Sequence, residues 1–147
     1  MSLNFKNTQN ILIPTDGSDY SLRAAEYGIS IAKMLGAQIM VVYVLDEVVL
    51  EQVSRASERE EVERELKNDG QRYINYVLSL AEKQVVKASS IIAKGRPFEQ
   101  IVHIAKGLKM DLIVMGTYGL RGSERILIGS VAERVIEYSS CPVLVIK

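Results

Sequence analysis

Two segments far apart in the chain carry the groups best suited to hold a charged ligand. The first is Pro14-Thr15-Asp16-Gly17-Ser18. Pro14 stiffens the exit from an apolar run, and Gly17 permits a tight turn. Asp16 is then placed to point beyond the run. Its carboxylate can accept hydrogen bonds from sugar hydroxyls or a base amino group, or help to hold Mg²⁺. Asp16 and Ser18 are equally able to cap a following helix, and the local sequence does not choose between the two roles. The second segment is Met115-Gly116-Thr117-Tyr118-Gly119, followed by Gly129-Ser130-Val131-Ala132. Glycines let the main chain approach a ligand closely. Gly129-Ser130 opens a helical pattern, and the free N–H groups and positive dipole end of a helix start favour phosphate. Ser130 adds a hydroxyl. Ser130-Val131-Ala132-Glu133 also reads as a capping box, and the two roles are compatible.

Other phosphate devices are missing. The chain has no Gly-Lys pair, hence no Walker-type loop, and no Gly-x-Gly, hence no dinucleotide fingerprint. Arg121 and Arg125 lie between Gly119 and Gly129, where they either reach a phosphate or solvate a loop. Fast phosphoryl transfer needs a positioned base, cationic charge and usually Mg²⁺. Beyond Asp16 the sequence offers little of that, so the expectation is binding with at most slow hydrolysis and no catalytic residue. The one histidine, His103, sits beside an apolar helical stripe and reads as an ordinary helix residue. Cys141, before Pro142 and an apolar run, reads as packing rather than as a redox thiol. Tyr118 is either a gate or an exposed loop residue.

The elements that must position these groups follow from the apolar pattern. Residues 11–13, 39–44, 91–93, 112–115 and 143–146 are continuous apolar runs without polar alternation. Such runs read as strands covered on both faces, as in a parallel sheet. Between them lie helical stripes. Leu22, Ala25, Ile29 and Ala32 form the first, closed by Gly36. Tyr73, Val77, Leu80 and Ala81 form the second. Pro97 starts the third, with Phe98, Ile101, Val102 and Ala105, and Gly107 ends it. Val131, Ala132, Val135 and Ile136 form the last, before Pro142. This order, β-α-β-α-β-α-β-α-β, predicts an α/β doubly wound parallel sheet of five strands with helices on both faces. In such sheets ligands bind beyond the carboxyl ends of the strands, where the strand order reverses. For the common order 3-2-1-4-5 that point lies between strands one and four, the two strands that end at Asp16 and Gly116.

Residues 46–69 stand apart, being rich in charge. They read as a solvated helix with ion pairs, or as a mobile flap over the site; Val53, Val62 and Leu66 are too sparse to pack the segment firmly. Residues 1–6 are polar and aperiodic and read as a tail.

Length and composition set the frame. The chain has 147 residues, which suits a single domain over 1–147. Its 48% hydrophobic and 24% charged residues are an ordinary globular mixture. Eighteen basic and 18 acidic side chains cancel, which gives no electrostatic reason to expect nucleic acid or an anionic membrane as partner. A single cysteine excludes an intrachain disulfide and fits a reducing, cytoplasmic location. No apolar run is long enough for a bilayer, and no signal-peptide pattern opens the chain.

Three of these motifs resemble those of a known family. Gly116-x2-Gly119-x9-Gly129-Ser130 resembles the ATP-binding signature of the universal stress proteins. Pro14-Thr15-Asp16-Gly17-Ser18 resembles their first-strand motif, and Cys141-Pro142-Val143-Leu144-Val145-Ile146 their terminal strand. The likeness runs from about Asn10 to Lys147 and is weakest in the charged stretch after Asp46. It implies a Rossmann-like, adenine nucleotide α-hydrolase-like fold with strand order 3-2-1-4-5. It implies that Pro14, Thr15, Asp16 and the main chain near Val44 sit by adenine and ribose. Met115, Gly116 and Gly119 would lie by ribose and phosphates, and Gly129, Ser130, Val131 and Ala132 would hold phosphates. The complete glycine signature places the chain with the ATP binders of the family. ATP is the expected ligand, with ADP or AMP as alternatives, and Mg²⁺ would reach Asp16 through the nucleotide. The function implied is a nucleotide-responsive regulatory or stress-response protein.

The last apolar run, Val143 to Ile146, would be a sheet edge that no charge blunts before Lys147, and a bare edge invites pairing. Both this pattern and the resemblance point to a homodimer through it. Three rival readings stand. A phosphoacceptor receiver domain would need an aspartate at the end of the third strand, where this chain has Lys94-Gly95. A pyrophosphatase-like hydrolase of adenine nucleotides is echoed only by Asp16-Gly17-Ser18. A nucleotide-free interaction dimer conflicts with the intact glycines.

Overall fold

The computed structural model describes residues 5–118 and 128–147. After a 3-10 turn at Phe5–Asn7 come β1 (Asn10–Pro14), α1 (Asp19–Leu35), β2 (Gln38–Asp46), α2 (Glu47–Glu51), α3 (Ala56–Lys83), β3 (Ala88–Gly95), α4 (Pro97–Gly107), β4 (Leu112–Gly116), α5 (Ser130–Tyr138) and β5 (Val143–Ile146). The strands form one parallel sheet in the order β3-β2-β1-β4-β5. The α/β architecture expected from the alternation of elements is thus observed.

Strand periodicity divides the core between the two faces. Ile11, Ile13, Val41, Tyr43 and Val114 face α1 and α3, where they meet Ala25, Ile29, Ile74 and Val77. Leu12, Val42, Ile113 and Met115 face α4 and α5, where they meet Ile101, Ala105, Ala132 and Val135. The central strands are sealed on both sides, which is why their sequences do not alternate. Each fully buried Ile or Leu contributes about 1.5–3 kcal/mol. Helix α1 is capped by the Ser18 side chain, which accepts from the Ser21 N–H, and is closed by Gly36 in the left-handed region at φ +67°. Among the described residues no helix is long and apolar enough to cross a membrane.

Two expectations are corrected. The charged stretch, read as a solvated helix or a mobile flap, is largely helical and runs on into the second helical stripe, but it is packed more firmly than expected. Residues from Ala56 onward are the first half of one 28-residue helix, α3, preceded by the short α2. Val62 and Leu66, expected to be too sparse to pack, are partly buried against the core. They continue the stripe of Gly70, Ile74, Val77 and Ala81 at helical spacing, so one continuous face docks on the sheet. The polar side of this half carries the charge, with Glu63 paired to Lys94 of β3 at 2.9 Å. The second correction concerns the last helix. Its N-cap is Gly129, with no side-chain cap bond. Ser130 is therefore the first helical residue, one position too late to form a capping box with Glu133.

Candidate functional site

A cavity of about 540 Å³ opens at the carboxyl ends of β1, β2 and β4. It lies at the reversal of strand order between β1 and β4. Four of the segments that wall it bring together residues singled out from the sequence. Pro14, Thr15 and Asp16 come from the end of β1, and Val44 from β2. Met115 and Gly116 come from β4, and Gly129, Ser130, Val131 and Ala132 from the start of α5. Gly119, Arg121 and Arg125 lie outside the described residues.

Local hydrogen bonding fixes the β1 end. The Thr15 N–H donates to the Val42 carbonyl at 2.8 Å. Asp16 Oδ1 accepts from the Ser18 N–H at 2.9 Å, which closes the turn around Gly17. Ser21 Oγ donates to the Ser18 carbonyl at 2.8 Å and lies 3.3 Å from Thr15 Oγ1. Asp16 and Ser18 thus do shape the entry to α1, and Asp16 still lines the cavity.

The β2 wall follows from the geometry of parallel strands. Within a strand, the N–H and C=O of one residue point to the same neighbour. Val42 faces β1 through its bond from Thr15. Val44, two residues on, faces the same side beyond the end of β1. Its main chain is therefore presented to the space that β1 vacates.

The β4 and α5 wall depends on close approach. A Cβ on Gly116 would lie 2.8 Å from the carbonyl carbon of Tyr20, so only glycine lets the first turn of α1 pack there. The Gly129 N–H donates to the Thr117 carbonyl at 2.6 Å, which ties the helix start to the end of β4. The first intrahelical bond at this end runs from the Glu133 N–H to the Gly129 carbonyl. The N–H groups of Ser130, Val131 and Ala132 precede it and lack intrahelical acceptors. They stand at the positive end of the helix dipole, on the cavity wall.

Other lining residues escaped the sequence reading. Asp46 is the last residue of β2, as Asp16 lies just beyond the end of β1, and its Oδ1 accepts from the Val48 N–H at 3.0 Å to start α2. The rule that directs attention to strand ends could have found it. Val49 of α2 and Leu66 of α3 supply an apolar wall. Tyr43 is buried beside them, and burial first, then Tyr73, Asp69, Asp16 and Asp46, pushes its phenol up to about 12, so it stays neutral at physiological pH. At the rim Tyr118 meets Tyr20 edge-on, with ring centroids 5.1 Å apart. His103 is exposed on α4, and Cys141 packs on the core beneath α5. A second hollow, about 590 Å³, lies at the opposite end of the sheet around Gly36, Gln38 and the turn at 84–87. Within it Lys33 Nζ donates to Gln84 Oε1 at 3.1 Å, and it lies away from the strand-order reversal.

The model of the Universal stress protein family matches residues 7–147. Universal stress protein MJ0531 of Methanocaldococcus jannaschii is 45% identical over 139 residues, which cover 95% of this chain and 82% of that protein. Universal stress protein MJ0577 of the same organism is 32% identical over 161 residues, covering 100% of this chain and 98% of that protein. The solved structure of MJ0577 matches with a TM-score of 0.84 at 31% identity, covering 95% of each chain. A universal stress protein solved in complex with cAMP matches with a TM-score of 0.71 at 26% identity, covering 95% of this chain and 97% of that one. With family match, relatives and sheet order in agreement, this chain belongs to the universal stress protein family.

Proposed function

We propose that the chain binds an adenine nucleotide, ATP foremost, in the cavity between β1 and β4, and that occupancy rather than turnover is its output. The observation that carries this reading is the sharing of one cavity by the Asp16 turn and the bare start of α5. The adenine edge would pair with the main chain of Val44 against the apolar wall of Val49 and Leu66. Asp16 would accept from the ribose hydroxyls. The phosphates would take the N–H groups of residues 130–132, the Ser130 hydroxyl and the close approach that Gly116 and Gly129 permit. The related protein solved with cAMP, itself an adenine nucleotide, supports the choice of base.

Among the described residues the lining holds two carboxylates and no histidine, lysine or arginine. Both carboxylates also serve a turn. Neither is set up as a free general base, which favours binding over rapid hydrolysis. Mg²⁺ fits as a companion of the phosphates. Among the described residues no group of three metal-ligating side chains exists, and Mg²⁺ commonly keeps its waters while using one or two carboxylates plus substrate phosphates.

The direct test is thermal. At a hundred times its dissociation constant a ligand stabilises by about 2.7 kcal/mol, which for a domain of this size raises Tm by roughly 5–10 °C. Asp16→Ala should weaken ATP roughly ten- to a hundredfold, the worth of its charge-assisted hydrogen bonds. A wild-type Tm unmoved by millimolar ATP, with and without Mg²⁺, would refute the reading.

The same proposal includes a homodimer. Among the described residues β5 pairs with β4 alone, and its other edge, where Leu144 is exposed, has no strand partner. Two copies joined at this edge would extend the sheet and leave no bare apolar strand. Sedimentation velocity should show a dimer for the wild type at micromolar concentration and a monomer for Leu144→Lys. A monomeric wild type would end this part of the proposal.

A further inference from the structure

Gly17 sits at φ +82°, in the turn that carries Asp16, and has no side chain with which to hold itself. The constraint comes from α3. A Cβ on Gly17 would lie 2.3, 2.5 and 2.6 Å from three ring atoms of Tyr73, so the phenol ring rests on the glycine Cα. Tyr73 is itself backed. Its ring lies 6.1 Å from that of Tyr43, inclined at 60°. Tyr43 in turn presses on Gly70 of the same helix, where an added Cβ would fall 2.1 Å from the ring. Two tyrosine-on-glycine contacts therefore run in opposite directions between α3 and the walls of the cavity. Tyr43 lines the cavity, whereas Tyr73 stands behind it.

We propose that Tyr73 is a positioning residue for the nucleotide site: its ring fixes the Gly17 turn, and so the Asp16 carboxylate, without touching the ligand. The inference rests on the reading of the cavity as an adenine-nucleotide site. A turn built on glycine samples many conformations when unsupported. Each unit of freedom that Asp16 retains before binding is lost on binding and weakens affinity. The hydrogen bond from the Ser18 N–H to Asp16 Oδ1 closes the turn from within, and Tyr73 roofs it from outside. α3, whose first half is mostly exposed, thereby gains a mechanical link to the site. By reciprocity, a ligand held by Asp16 must also tighten the seat of Tyr73.

The test is a double-mutant cycle on the full chain, with ATP affinity read by calorimetry. Tyr73→Phe keeps the ring and should keep wild-type affinity. Tyr73→Leu should weaken ATP roughly tenfold, about the worth of one charge-assisted hydrogen bond. Combined with Asp16→Ala it should cost nothing further, because Tyr73 acts only through that carboxylate. Gly17→Ala, which pushes on the ring from the other side, should weaken binding in the same way and serves if Tyr73→Leu does not fold. Affinity within about twofold of wild type for the folded variant, or independent losses that multiply in the double mutant, would overturn the inference. A wild type that binds no adenine nucleotide would remove the site reading and this inference together. A wild type that binds, with Tyr73→Leu binding equally well, would remove this inference alone.

Discussion

Replacing Gly129 with valine is expected to weaken ATP binding by about a hundredfold or more, since at least two charge-assisted N–H bonds to phosphate would be lost. The backbone of Gly129, at φ −74° and ψ 159°, is one that any residue adopts, so conformational strain is not the cause. The cause is space. A Cβ there would lie 2.7 Å from the Thr117 carbonyl oxygen and 3.3 Å from the Tyr118 Cα, both main-chain atoms. The 2.6 Å bond from the Gly129 N–H to that carbonyl would have to lengthen, and the start of α5 would move away from β4. The N–H groups of Ser130, Val131 and Ala132 would leave their common focus. The sheet should survive, because Ala132 and Val135 remain buried against Ile113 and Met115. Calorimetry should therefore find little binding in a protein whose circular dichroism is unchanged. A folded Gly129→Val that binds ATP like the wild type would show that phosphate is held elsewhere.

The parts of this site legible in the sequence share one property: they lie at strand ends or helix starts, which short motifs mark. Asp16 stands two residues after a proline and directly before a glycine, Gly116 ends an apolar run, and Gly129 opens a helical stripe. The rule that ligands bind where strand order reverses then places them together, and the structure gives them one cavity. Apart from Asp46, which the same strand-end rule would mark, the lining residues absent from these motifs reach the cavity by tertiary packing. Leu66 sits among charges, and its partners on the stripe, Gly70 and Ile74, are recognised only once α3 is known to run unbroken from Ala56 to Lys83. The charge of 58–67 is compatible with a helix but hides that Val62 and Leu66 give it a face that packs. Ser21 and Val49 were illegible for a related reason, since each enters the cavity from a helix whose angle to the sheet no local pattern states. The capping register of α5 failed by one residue because Ser and Gly both cap helices well, and the bond from Gly129 to Thr117, a tertiary contact, decided between them.

Gly70 shows how far tertiary contact can reverse a local rule, and the reversal can be measured. Alanine is a better helix former than glycine by about 1 kcal/mol, so Gly→Ala inside a helix normally stabilises. At Gly107, the last residue of α4, that rule should hold. Nothing lies within 4 Å of an added Cβ, and the φ there is not positive. Gly107→Ala should raise stability by a few tenths to about 1 kcal/mol. At Gly70, in the middle of α3, an added Cβ would fall 2.1–2.7 Å from three atoms of the Tyr43 ring. Tyr43 is only 6% exposed and is held between α3 and the sheet, so the ring has little room to give way. Gly70→Ala should therefore lose about 1–3 kcal/mol, the usual cost of overpacking, despite its gain in helix propensity. Urea unfolding of the two variants should give midpoints displaced in opposite directions from the wild type. Gly70→Ala should also weaken ATP, because the helix can relieve the clash only by lifting Leu66 from the cavity wall and Tyr73 from Gly17. If Gly70→Ala proved as stable as Gly107→Ala, the close seating of α3 on Tyr43 would be wrong, and with it the route by which this helix holds the Asp16 turn.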